Sequence, residues 1–180
     1  MKQLSQYLLI ATAGLILAGC TGGPPGGLTV VENFDITRYE GRWYEIARLD
    51  HRFERGLTDV TADYTLQDDN TVRVVNRGYS ATEQDWDEAV GRARFVGEQT
   101  VGALKVSFFG PFYGAYNIVA LDQQSYEWAL ITGPNHNYLW ILAREPVLDE
   151  ATRQRLITMA AQAGFETDNL MTVSHTRQPE

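Results

Sequence analysis

Cys20 is the one thiol in this 180-residue chain. It stands directly behind Leu17-Ala18-Gly19. A thiolate can be alkylated or acylated, and a lone cysteine spent that way leaves none for a disulfide. Other reactive chemistry is thinly represented. The three histidines, His51, His136 and His175, lack metal-ligand spacing, and no Gly-x-Ser-x-Gly elbow occurs. No glycine-rich phosphate loop precedes a helical pattern; the glycines fall at turns. Glu45 could act as an acid in a pocket, or be a buried polar residue satisfied by its neighbours. The expectation is a binding protein with no catalytic residues, no metal and no cofactor.

The residues around Cys20 give that thiol its context. Lys2 precedes an apolar run from Tyr7 to Ala18 that is short for a membrane-spanning helix and reads as a signal peptide over 1–19. Its end, Leu17-Ala18-Gly19-Cys20, resembles the bacterial lipobox. That resemblance implies a diacylglycerol on the Cys20 sulfur, cleavage before Cys20, and acylation (palmitate, for example) of the new amine. Such acylation is sufficient for stable membrane anchoring. Thr21, standing where an Asp would signal retention, implies the outer membrane, with the protein on the periplasmic side. An ordinary signal peptide with an incidental cysteine is the alternative. Residues 20–33 then form a Gly/Pro-rich tether of roughly 20 Å average span.

The remaining chain, 34–178, is expected to be one domain. At 44% hydrophobic and 21% charged it has a globular composition, and it is long enough to bury a core without cross-links. A formal charge of −8, with Lys2 and Lys105 the only lysines, argues against nucleic acid as a partner. Nine Tyr, seven Phe and four Trp suit a β core or an apolar pocket. Period-two patterns predict strands over 42–50, 58–67, 71–79, 87–96, 102–109, 115–122, 126–132 and 138–144. Without strand–helix alternation, a parallel sheet is excluded. Asp149 as N-cap, an apolar stripe through Leu156, Ala160 and Ala163, and Gly164 as terminator predict one helix of about 15 residues. Leu170 to Ser174 could add a last short strand. The fold class is therefore all-β: an eight-stranded antiparallel up-and-down barrel with one C-terminal α-helix packed outside. A two-sheet sandwich is the alternative.

In such a meander alternate loops share an end. One set is short and polar and lies with the start of the first strand, near Trp43. The other set contains 50–57, 80–86, 110–114 and 133–137, which makes that end the mouth. Phe53, Trp86, Phe112 and Tyr113 would form its apolar rim, with His51, Arg52 and Arg55 beside them. These rings could plug the barrel, or meet a lipid tail or membrane surface. Arg52 and Arg55 could hold an anionic head group bidentately, although Asp50 and Glu54 lie close enough to neutralise them. Arg144, at the end of the eighth strand, should come near Trp43, where a cation–π contact is available.

Gly41-Arg42-Trp43-Tyr44 with Arg144 resembles the lipocalin signature. The stretches Tyr44–Arg48, Lys105–Gly114 and Tyr138–Leu142 are similar to the bacterial outer-membrane members, which are akin to apolipoprotein D. The resemblance covers roughly residues 34 to 178 and adds the lipobox. It implies that Gly41, Trp43 and Arg144 are structural, with Trp43 closing the barrel floor. It also implies a carrier that stores or transports fatty acids or lysophospholipids for envelope maintenance, under stress among other conditions. A homodimer stays open. The other readings are an envelope scaffold lipoprotein with a filled barrel, and a lipid-modifying enzyme. Ala47, Ala62, Ala93 and Ala120 supply small residues that an unfilled interior would need.

Overall fold

Alternation of apolar and polar residues produces eight consecutive strands in the computed structural model, which describes residues 23–177. They are β1 (Gly41–Leu49), β2 (Leu57–Leu66), β3 (Val72–Ser80), β4 (Asp85–Phe95), β5 (Ala103–Phe109), β6 (Phe112–Leu121), β7 (Trp128–Thr132) and β8 (Leu139–Ala143). Each pairs antiparallel with the next, and β1 pairs with both β2 and β8, so the sheet closes into a barrel. Closure removes the unpaired edges that an open sheet of this length would expose. A short β9 (Leu170–Thr172) adds to β1 through Ala47, Arg48 and Leu49. The expected signal peptide and the thiol of Cys20 lie outside the described residues.

Two apolar clusters divide the molecule. Inside the barrel, Trp43, Tyr64, Val72, Val74, Ala93, Leu104, Ile118, Ile131 and Leu142 pack together. Outside, α2 (Glu150–Gln162) lays Leu156 and Ala160 on Ile46, Leu130, Leu139, Ile141 and Ala143. The segment Leu139-Trp140-Ile141-Leu142-Ala143 is therefore buried on both faces, which explains its continuous apolar run. Asp149 caps α2 by accepting from the Thr152 backbone N–H at 2.9 Å. Gly164 takes φ +85° just beyond the helix, and Phe165 folds back on its last turn.

Three local features escaped the periodicity. A four-residue helix, α1 (Ile36–Tyr39), precedes β1 and is capped by Asp35. The strand β6 begins at Phe112, so the expected rim loop 110–114 shrinks to Gly110-Pro111, and Phe109 pairs with Phe112 across it. Likewise β4 begins at Asp85, because Trp86 pairs directly with Tyr79 and the two rings pack edge to face at 5.7 Å. Aromatic cross-strand pairs of this kind stabilise the ladder and extend it into what reads as loop.

The floor is built around Trp43, which is fully buried. Its indole N–H donates to the Tyr39 carbonyl at 2.8 Å, and the Tyr39 ring stacks on it at 4.5 Å. The Arg144 guanidinium lies 4.1 Å from the Trp43 ring centroid. It donates to the carbonyls of Arg42 and Arg38, both at 2.8 Å, and of Tyr126 at 3.2 Å. Gly41 holds φ +89°, a left-handed conformation that turns α1 into β1 and that a side chain would strain. Trp43→Ala is expected to cost about 3–5 kcal/mol in urea unfolding, since it empties a large buried site. Arg144→Lys keeps the charge but not the planar fork and should cost roughly 1–2 kcal/mol. A loss below about 1 kcal/mol for Trp43→Ala would contradict a sealed floor.

Candidate functional site

The barrel interior changes character from floor to mouth. At the floor, Phe34, Tyr39, Trp43 and Tyr64 form an aromatic layer. The Tyr116 hydroxyl lies 2.8 Å from those of both Tyr39 and Tyr64. Burial raises all three phenols above their ordinary range, so they stay neutral. Three hydroxyl protons and two mutual bonds leave one proton to donate elsewhere. Above them the wall is aliphatic, with small residues at Ala62 and Ala93. Ala47 and Ala120 belong instead to the cluster under α2.

Toward the mouth the interior becomes charged. A β-bulge between Glu45 and Ala47 resets the alternation of β1, pairing Glu45 with Leu142 and Arg48 with Trp140. Leu142 and Trp140 both belong to the interior cluster, so Glu45 and Arg48 both point inside. Arg48, 1% exposed, donates to Glu45 Oε1 at 2.6 Å and to the carbonyls of Glu54 and Leu57 at 2.7 and 3.1 Å. The 50–56 loop folds over this pair. Glu54 Oε2 accepts from the Trp140 indole at 3.1 Å, and His51 Nε2 lies 3.1 Å from the same oxygen. That His51 contact is an ion-pairing distance without hydrogen-bond alignment.

The two carboxyls are pushed apart. Burial, with Glu54 close by, raises Glu45 well above the ordinary carboxylate range despite Arg48. Burial opposes ionisation of Glu54 too, but His51, Trp140 and Arg48 outweigh it and hold Glu54 below that range. Four buried polar atoms here, Arg48 Nε, both ring nitrogens of His51 and Asn76 Oδ1, make no hydrogen bond within the chain. They are the groups that could meet a polar ligand atom.

The rim residues expected from the sequence fall into separate places. Phe53 is 57% exposed, with the Arg52 guanidinium 4.8 Å from its ring. Arg55 is paired with Asp50 at 2.8 Å on the surface. Phe112, 78% exposed, and Tyr113 sit across the barrel from them, beside an exposed Phe109 that ends β5. Trp86 pairs with the outward-facing Tyr79 and so lies on the outer wall. Arg52 and Arg55 are exposed beside the mouth, and Arg48 places a further cation inside the barrel. Plain alternation puts Glu45 and Arg48 on opposite faces, and nothing in the composition announces the bulge. Among the described residues, no three His, Cys, Asp or Glu side chains gather to hold a metal.

A model of the lipocalin-like domain matches residues 34–175. The chain is 48% identical over 173 residues to "Outer membrane lipoprotein Blc" of Citrobacter freundii, covering 96% of this chain and 97% of that one. The protein of that name from Escherichia coli K12 is 49% identical, covering 95% and 97%. Insecticyanin of the tobacco hornworm Manduca sexta superposes with a TM-score of 0.67 at 20% identity, covering 84% of this chain and 86% of that one.

The pH dependence of stability checks the carboxyl assignment. Between the ordinary carboxylate range and the raised value of Glu45, the unfolded chain gives up a proton that the folded chain keeps. Glu45 therefore makes stability fall as pH rises through that window. Glu45→Gln should abolish this fall. Glu54→Gln should instead remove a loss of stability that appears as pH drops below the ordinary range. Thermal unfolding from pH 3 to 9 reads both, and an unchanged profile for Glu45→Gln would contradict the raised value.

Proposed function

The chain belongs to the lipocalin-like family, and from that premise we propose that it holds a single-chain lipid inside the barrel and exchanges it with the membrane facing its mouth. Like its relatives, it is an outer-membrane lipoprotein. The observation that carries the proposal is that the described start of the tether docks at the mouth end of the domain. Helix α2 starts beside the floor, after β8, and ends beside the mouth. There His136, from the β7–β8 loop, sits 2.9 Å from the Ala163 carbonyl. Gly26 is pressed against that same carbonyl, so tightly that a side chain there could not fit. Leu28 packs on the helix cluster, and Val31 donates to the Ile118 carbonyl at 2.9 Å. The tether therefore leaves the domain at the mouth end. Cys20 precedes Gly23 by three residues, at most about 11 Å of chain.

That short span supports a mouth turned to the leaflet in which the Cys20 acyl chains are buried. Phe53, Phe109 and Phe112 would then face hydrocarbon or head groups, consistent with rings left exposed in a chain that buries most others. A fatty acid or lysophospholipid would lay its tail on the aliphatic wall and stop at the tyrosine layer. Its carboxylate or phosphate would remain beside Arg48, His51 and Asn76. Storage or transport of such lipids for envelope maintenance follows from this reading. So does a carrier rather than a catalyst, since His51 and the two carboxyls are held by one another.

Native mass spectrometry of the acylated protein extracted from membranes should show about one bound lipid per chain, displaceable by a fluorescent fatty acid. Ala93→Phe, which fills the interior, should lower that affinity at least tenfold while the fold persists. A filled-barrel scaffold would show no bound lipid and no effect of the substitution. Cys20→Ser should move the protein out of the membrane fraction.

A further inference from the structure

The ladder between β4 and β5 stops well short of the ends of both strands. Their ladder runs from Phe95↔Leu104 only as far as Arg92↔Ser107, although β4 continues to Asp85 and β5 to Phe109. Where pairing stops, a groove of about 360 Å³ opens on the outer face. It is lined by inward-facing Gly91 and Phe108 together with outward-facing Arg73, Val90 and Arg92. A Cβ on Gly91 would stand 2.8 Å from the Phe108 ring, so that ring occupies the space the glycine leaves and closes the wall there.

The charges on this face are unusual for a chain of net charge −8. Arg73 stands directly opposite Arg92, and Arg94 directly opposite Lys105. Like charges in register across antiparallel strands destabilise a sheet. Asp69 approaches Arg92 at 3.7 Å, a distance too long for a bidentate pair. The Tyr113 ring lies beside the other couple, 5.3 Å from Lys105 Nζ and 6.0 Å from the Arg94 guanidinium. All four cations are exposed, while Val90, 49% exposed, and Phe108 supply apolar surface between them.

We propose that this groove is a second, lateral binding site for the phosphate-bearing head of an amphiphile. Arg73 and Arg92 would grip the phosphate with their planar forks, and the start of the tail would lie on Val90 and Phe108. A phosphate held between Arg73 and Arg92 relieves that like-charge couple, with Arg94 and Lys105 adding to the positive field beside it, which a neutral head cannot do. The site lies on the outer wall and does not depend on the barrel interior being occupied.

The test uses the mature acylated chain in dodecyl maltoside, with backbone amide shifts as the readout. Three probes are titrated: 1-oleoylglycerol 3-phosphate, 1-oleoylglycerol, and glycerol 3-phosphate. The phosphate-bearing amphiphile should shift amides of residues 90–92 and 107–110. Arg73→Gln/Arg92→Gln should weaken that binding at least tenfold and leave 1-oleoylglycerol unchanged. Raising salt should weaken the native chain more than the variant. The variant's thermal midpoint should be equal or higher, since a repulsion is removed, which separates lost binding from lost folding. Lys105→Gln provides a milder second variant, with a smaller loss expected. Shifts with glycerol 3-phosphate alone would extend the site to free phosphate esters; shifts only with the tail attached would restrict it to lipids. Unchanged affinity in both variants, or shifts confined to interior residues, would overturn the proposal. Failure of 1-oleoylglycerol to bind would count against the interior reading alone, because the groove is judged on residues 90–92 and 107–110.

Discussion

The contact between Arg144 and Trp43 is the constraint on which the rest of the structure depends. One guanidinium lies on one indole and binds backbone carbonyls from α1, from the start of β1 and from the approach to β7. It thereby ties the last strand of the barrel to the first and fixes α1 beneath both. An exposed cation–π contact contributes roughly 0.5–1 kcal/mol, and hydrogen bonds from a charged donor contribute more. In a domain with no cysteine among its described residues, that local network takes the place of a cross-link. With the floor sealed, a ligand reaches the interior from the opposite end or through the wall.

Polarity inside the barrel follows from the same division. Placing Glu45, Arg48, His51 and Glu54 in a low-dielectric interior is costly unless they satisfy one another. They do so incompletely, and the donors left over lie on the mouth side of the aliphatic wall. A barrel serving only as scaffold gains more stability from apolar residues at these positions. The bulge in β1 creates the arrangement by turning two residues three apart in sequence onto one face. The outer wall shows a parallel conflict, in which like charges face each other beside a break in the ladder. Both are places where local stability is given up, and such places are where binding sites occur.

Much of this was legible in the sequence. Strict alternation marked the eight strands to within a few residues, and Asp149 and Gly164 bracketed α2 because capping chemistry is local. The continuous run Leu139–Ala143 hinted at burial on both faces. What stayed hidden was non-local. The bulge at Glu45–Ala47 depends on how β8 packs against β1, so Arg48 could not be read as an interior residue. Phe112 and Trp86 looked like loop residues because their strand partners, Phe109 and Tyr79, stand across a turn. The four residues of α1 are too few for any period to register. The docking of Gly26 and Leu28 on α2 was masked by a Gly/Pro composition that suggests only flexibility.

On the proposed function, the barrel interior, entered opposite the Trp43 floor, receives a single acyl chain. Trp140 lies in the inner wall beside His51, whereas Trp128 lies outside against α2 with the Arg155 guanidinium 4.8 Å from its ring. Tryptophan quenching by a fatty acid brominated at mid-chain distinguishes the two sides of the wall. The quenching should lose its larger part in Trp140→Phe and persist in Trp128→Phe. Quenching that survives in Trp140→Phe and disappears in Trp128→Phe would place the lipid outside the barrel and contradict the claim.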